Sequence, residues 1–288
     1  MTRATNVTCV WRAGAILGEG PIWSARDQAL YWVDIKAPAL HRLTLHSGKR
    51  QSWVLPDCTG WVIERRDNAG FIVGTKAGFA ELQLEPFELR IIGHPEPHIR
   101  GNRFNDAKAD QKGRIWAGTI DDAEEEERGS LWRLDPDGSW DCADVGYHVA
   151  NGPAFSPDGR TFYHADSAKR LIYRFELDDE GTLSGKRVFI RFPPEWGYPD
   201  GMTTDCEGGL WVAHWDGGRI SRFTPDGYLA HSITLPITRP TSCAFAGPNL
   251  DRLFVTSARI GRENEELSGA LFEVDAGIRG LPPGLFGG

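Results

Sequence analysis

Six times along the chain an aromatic or aliphatic residue is followed, three positions on, by a small polar residue or histidine. Tyr31 is followed by Asp34, Ile72 by Thr75, Trp116 by Thr119, Tyr163 by Asp166, Trp211 by His214 and Phe254 by Ser257. The anchors are spaced by 41, 44, 47, 48 and 43 residues, the period of propeller blades built from four strands each. Short alternating runs such as Leu171–Leu177 read as strands. Ser47-Gly48, Asp137-Gly138, Asp158-Gly159 and Asp226-Gly227 read as the turns between them. No window of ten residues keeps a helical period, and the acidic stretch 121–128 reads as a loop. The expected fold is therefore all-β, a six-bladed β-propeller forming one domain over residues 1–288. Its blades are expected at 18–56, 58–98, 104–147, 150–196, 199–238 and 240–276. A ring must hide the edges of its first and last blades. The alternating segment 8–16 is expected to do this as the outer strand of the sixth blade.

Stepping back 11 to 13 residues from each anchor reaches the expected start of each blade's first strand: Glu19, Gly60, Asn105, Asn151, Asp200 and Thr241. First strands line the central channel, so these six positions should share a ring. Four carry a carboxylate or amide oxygen. Such a ring suits a divalent cation with hard oxygen ligands, and the absence of His and Cys argues against a tight structural zinc. Glycine follows Glu19, Asn151 and Asp200, allowing a sharp turn at the strand start. Asn-Gly and Asp-Gly are also ordinary turn pairs; a shared register in three blades is what sets these apart. Arg103 and Asn105 stand two apart, so on an extended segment they face the same way, a guanidinium and an amide suited to a polyol or carboxylate. By the same alternation Asp106 should point away and cap its own turn. Trp116 and Trp211 occupy equivalent anchors and belong to the core between blades. Trp23, Trp196 and Trp215 are candidates to stack on a sugar ring.

Forty acidic residues against 32 basic give a net charge of −8, which argues against a general nucleic-acid binder. Five widely spaced cysteines without a C-x-x-C read as reduced thiols in a cytoplasmic protein. The first residues lack an apolar signal core, and no run approaches the length of a membrane span. Serine-elbow, zinc-protease, Walker and dinucleotide motifs are all missing.

Several ordered motifs together resemble the regucalcin/gluconolactonase (senescence-marker protein) family. They are Leu-Gly-Glu-Gly-Pro-Ile-Trp at 17–23, Tyr-Trp-Val-Asp-Ile at 31–35, Asn-Arg-Phe-Asn-Asp at 102–106, Gly-Arg-Ile-Trp-Ala-Gly-Thr at 113–119, Asn-Gly-Pro at 151–153 and Tyr-Pro-Asp-Gly at 198–201. The resemblance implies a propeller with one divalent cation that hydrolyses a small-molecule sugar lactone. It implies Glu19, Asn151 and Asp200 as metal ligands and Arg103 and Asn105 as substrate contacts; on such a site Asp200, bound to or beside the metal, is expected to be the catalytic base that deprotonates water. Calcium, magnesium, manganese, zinc and iron all stay open as the metal. The expected assembly is a monomer or weak homo-oligomer. The chain departs from the family in the acidic run after Ile120, so specificity does not transfer. Two rival readings remain: a promiscuous esterase or organophosphate hydrolase on the same site, and a non-catalytic calcium-binding or protein-docking propeller.

Overall fold

The computed structural model describes residues 7–288. It is a six-bladed β-propeller of four-stranded antiparallel sheets. The first six residues of the domain expected over 1–288 lie outside the described residues. The inner strands, in chain order, are Gly18–Ser24, Thr59–Glu64, Asn102–Ala109, Ala150–Phe155, Tyr198–Thr204 and Pro240–Ala246. Blade three starts two residues earlier than the expected 104, which carries Arg103 into the inner strand itself. Among the described residues there is no α-helix, only a short 3-10 turn at Pro194–Trp196, and no helix long and apolar enough to cross a membrane.

The anchor runs are buried on both faces because each blade is packed between two others. Along Ala29–Asp34, Tyr31 and Val33 pack toward blade two while Leu30 and Trp32 pack toward blade six. Along Ile115–Asp121, Trp116 and Ile120 turn toward blade four, and Ile115 and Ala117 toward blade two. A period of two thus feeds two separate cores, and second strands read as almost continuous apolar runs. Outer strands face water and alternate, as Arg50–Val54 does.

The ring is joined through blade six. Val7–Trp11 pairs antiparallel with Leu271–Val274, with Val7 opposite Val274 and Cys9 opposite Phe272. Below the blades, the last residues run as a strap from blade five to blades two and three. Gly280 bridges to Asp205, Phe286 bridges to Arg65, and the Gly287 N–H donates to the Gly113 carbonyl at 3.0 Å. All five cysteines are free.

Two buried aspartates tie hairpins to anchors. Asp205 accepts the indole N–H of Trp211 at 2.8 Å, two turn N–H groups from Glu207 and Gly209, and the Arg222 guanidinium at 2.6 Å. Asp110 does the same for Trp116, Lys112 and Arg114. Each carboxylate holds the turn between inner and second strands and the large side chain that fills the blade interface. Removing one strands several buried donors. Asp205→Ala should therefore lower unfolding stability by about 3 kcal/mol, read from urea denaturation. A loss below about 1 kcal/mol, the range of an exposed pair, would remove Asp205 from this role.

Candidate metal and substrate site

Every inner strand carries one extra residue relative to its neighbour, at the same height. The register shifts between Glu19 and Ile22, Thr59 and Trp61, Phe104 and Ala107, Asn151 and Ala154, Pro199 and Met202, and Pro240 and Ser242. These are β-bulges, which re-aim side chains at the rim of a closed sheet. The six register positions lie at or beside them. Glu19, Asn105, Asn151 and Asp200 are all buried there, at 5%, 8%, 5% and 4% exposure. The other two positions serve packing. A Cβ on Gly60 would lie 2.7 Å from the carbonyl oxygens of Phe104 and Asn105, so glycine allows blade three to approach. The Thr241 hydroxyl donates to the Gly18 carbonyl at 2.5 Å, linking blade six to blade one.

Hydrogen-bond partners fix which way the two amides face. The Ser167 hydroxyl donates to the Pro199 carbonyl at 2.6 Å, so its oxygen must accept from Asn151 Nδ2 at 3.0 Å. Asn151 Oδ1 is thereby held away from Ser167, buried and without a partner among the described residues. Asn105 is oriented likewise. Its Nδ2 donates to the Ala150 carbonyl at 2.9 Å, and its Oδ1 accepts from Arg103 Nη1 at 2.8 Å. Arg103 and Asn105 do meet, directly. Ser167 escaped the sequence reading, because a serine after an aspartate carries no motif of its own.

The carboxylates form an unpaired acidic centre. Among the described residues Glu19, Asp106 and Asp200 have no salt-bridge partner, and each accepts the N–H of the residue that follows it. Burial, then the charge of Asp106, pushes the Glu19 carboxyl up to about 8, with Lys108 and Arg103 opposing. Burial, then the charges of Glu19 and Asp106, holds Asp200 well above its usual range. Burial raises Asp106 to about 6, against Lys108 and the N–H groups of Ala107 and Gly152. Asp106 does bond its own turn, but it also belongs to this centre, so its expected outward direction is corrected. The bulge places both Asn105 and Asp106 opposite the single residue Gly118, and alternation fails across it. No group of three His, Cys, Asp or Glu side chains suited to a metal occurs among the described residues. The candidate set is instead two carboxylates and one amide oxygen. An orphaned amide oxygen beside carboxylates that cannot comfortably all ionise is the donor chemistry a hard divalent cation satisfies.

The acidic loop is pinned across the same mouth. Asp121 accepts Arg128 Nη2 at 2.6 Å, Glu127 pairs with Lys169, and His148 Nε2 contacts the Glu124 carbonyl at 2.8 Å. Asp122 reaches the other way, to Lys36 at 2.8 Å and to Arg103 Nε at 2.6 Å. The loop thus spans from blade four to blade one, and the charge of Glu124 is felt at Asp200. Asp34 and Asp166 serve their blades by accepting backbone N–H groups. Trp23 is buried against Leu30 and Trp32, with its remaining edge on the cavity at the opposite mouth, away from the ring, whereas Trp196 and Trp215 are half-buried beneath Arg219 and Arg239. A cavity of about 1270 Å³ lies at the opposite mouth, lined partly by the strap at Leu281 and Leu285, and none of Glu19, Asn105, Asn151 or Asp200 borders it.

Residues 17–259 match the model of the SMP-30/Gluconolactonase/LRE-like region. The chain is 36% identical to a 6-deoxy-6-sulfogluconolactonase of Pseudomonas putida, over 98% of this chain and 99% of that protein. It is 33% identical to a pentonolactonase of Haloferax volcanii, over 98% and 96% respectively. The solved structure of a calcium-binding protein, regucalcin, from Agrobacterium tumefaciens superimposes with a TM-score of 0.91 at 28% identity, covering 96% of each chain. With the matched region spanning most of its length, the chain belongs to the SMP-30/gluconolactonase/LRE-like family.

Proposed function

We propose that the protein hydrolyses an aldonolactone to the aldonic acid, using one divalent cation held by Glu19, Asn151 and Asp200. The observation that carries this reading is the ring of inner-strand bulges, where a buried amide oxygen without a partner shares its register with mutually interacting buried carboxylates and Arg103 bonds Asn105. The names of two relatives support a lactone substrate. A bound cation would act as Lewis acid on the lactone carbonyl and favour the ionised form of Asp200.

Asp200 then takes a proton from the attacking water as general base. The water oxygen bonds to the carbonyl carbon, the ring C–O bond breaks, and the proton passes to the departing ring oxygen. Arg103 and Asn105 orient the sugar hydroxyls. Asp122 fixes Arg103 from the far side, and Ser167 keeps the Asn151 oxygen aimed inward.

Three outcomes are expected. Asp200→Asn keeps an oxygen but loses the base, so turnover at saturating metal should fall by about 10²–10⁴, measured above spontaneous lactone opening. Equal rates for variant and wild type would take Asp200 out of the reaction, and no wild-type rate on any sugar lactone would favour the binding-protein reading. Arg103→Ala should chiefly raise KM, as removal of a contact made in both ground and transition states does; steady-state kinetics on the same lactone separates this from a fall in kcat.

The third outcome concerns protons and metal together. Raised folded-state carboxyl pKa values mean that the metal-free folded protein holds more protons than the unfolded chain, from the ordinary carboxylate range up to about 8 for Glu19. Stability of the metal-free protein contributed by this centre should fall as pH rises through that window. Glu19→Gln should flatten the slope. Saturating cation should do so in wild type, adding about 2.7 kcal/mol at a hundredfold excess over Kd. Thermal melts from pH 5 to 8 test this, and a melting temperature indifferent to metal throughout would refute the cation site.

A further inference from the structure

Three residues beyond each ring position the inner strands form a second level. Glu19, Gly60, Asn105, Asn151, Asp200 and Thr241 lead to Ile22, Ile63, Lys108, Ala154, Thr203 and Ala244. All six of these border the cavity at the opposite mouth, whereas Glu19, Asn105, Asn151 and Asp200 do not. The second level is therefore the floor between the ring and that cavity. Five of its members are aliphatic or hydroxylic, and Lys108 is its one charged side chain. Arg103 pairs with Asp122 and Arg114 with Asp110, both at 2.6 Å, but Lys108 has no salt-bridge partner among the described residues. Its strand aims it at the ring's acids. Past the bulge, Ala107 and Ala109 pack toward blade two, so Asp106 and Lys108 share the other face. The Lys108 charge also crosses the axis. It opposes the burial that raises Asp106 on its own strand, Glu19 on blade one and the Cys243 thiol on blade six.

We propose that Lys108 is the built-in counter-ion of the acidic ring and sets the charge of the cation the ring accepts. This rests on the cation site proposed above and adds the residue that selects among cations by charge. Inside the channel, Glu19, Asp106 and Asp200 bring three carboxylates without salt-bridge partners, and Lys108 brings one ammonium. With all four ionised, two negative charges are left, which a divalent ion closes and a trivalent ion overshoots. The rim above does not enter this balance in the same way. Arg103 is paired there with Asp122, while Lys36, Lys76 and Glu124 are accessible to solvent, which screens them. Lys108 repels any ion in the ring in proportion to that ion's charge. Removing it therefore helps a trivalent ion more than a divalent one. Packing does not ask for a lysine here, since the other five floor positions are filled by uncharged side chains.

Calorimetric titration of the full chain, stripped of metal, with calcium chloride and with lanthanum chloride reads this without turnover. Lys108→Met should tighten both ions and raise the preference for La³⁺ over Ca²⁺ by about tenfold relative to wild type. Lys108→Arg keeps the charge and should keep the wild-type ratio. Asp106→Asn moves the balance the other way and should shift the ratio toward Ca²⁺ by a similar factor. Combining Asp106→Asn with Lys108→Met restores a deficit of two charges, so the ratio should return to that of wild type. If Lys108→Met does not fold alone, the comparison of Asp106→Asn with the double variant decides. A ratio unchanged in Lys108→Met, or one that the double variant fails to restore, would overturn the role of Lys108 while leaving the cation site standing. A wild type that binds neither ion would remove the site itself, and the counter-ion with it.

Discussion

Six inner strands share one axis, and each accommodates the crowding with an extra residue at the same height. That repeated bulge is the constraint on which the site depends. Without it, Glu19, Asn105, Asn151 and Asp200 would follow strict alternation and only some would reach the channel. With it, side chains from blades one, three, four and five meet at one level, and Asp106 joins them although its neighbour Asn105 does too. Blades two and six give their ring positions to closure instead, through the bare backbone of Gly60 and the Thr241 bond to blade one.

Concentrating acids in that ring has an electrostatic cost that nearby groups only partly offset. Lys108 and Arg103 lower the Glu19 carboxyl, yet burial and Asp106 still win. Elsewhere the protein treats buried acids differently. Asp110 and Asp205 each have an arginine, an indole N–H and turn amides, and so are fully answered within the chain. The contrast separates two kinds of buried carboxylate: one holds a hairpin with partners inside the chain, the other has no salt-bridge partner among the described residues.

Much of this was legible in the residues. The anchors recur at blade spacing because a second strand must feed two cores, and that demand writes the same apolar run into every blade. The ring positions followed from counting back along a hairpin of nearly constant length. Asp106 was misread because alternation assumes an unbroken pleat. The starting point of blade three was two residues late because Arg103, a buried cation, does not look like a strand residue until its partners Asp122 and Asn105 are in place. Ser167 and the ties of the acidic loop are contacts between blades distant in sequence, and no local pattern encodes them.

The two mouths of the propeller are built differently. The strap crosses one, held by backbone bonds to blades two, three and five, so its geometry is set by the fold. The other is bordered by turns whose charged side chains pair across blades, Lys36 with Asp122 and Lys169 with Glu127. Turns can change residues without disturbing the ladder beneath them. A ring of oxygens fixed by inner-strand bulges can therefore keep one chemistry while the turns above it vary. In this chain those turns bring three cations to one carboxylate at the rim above the ring.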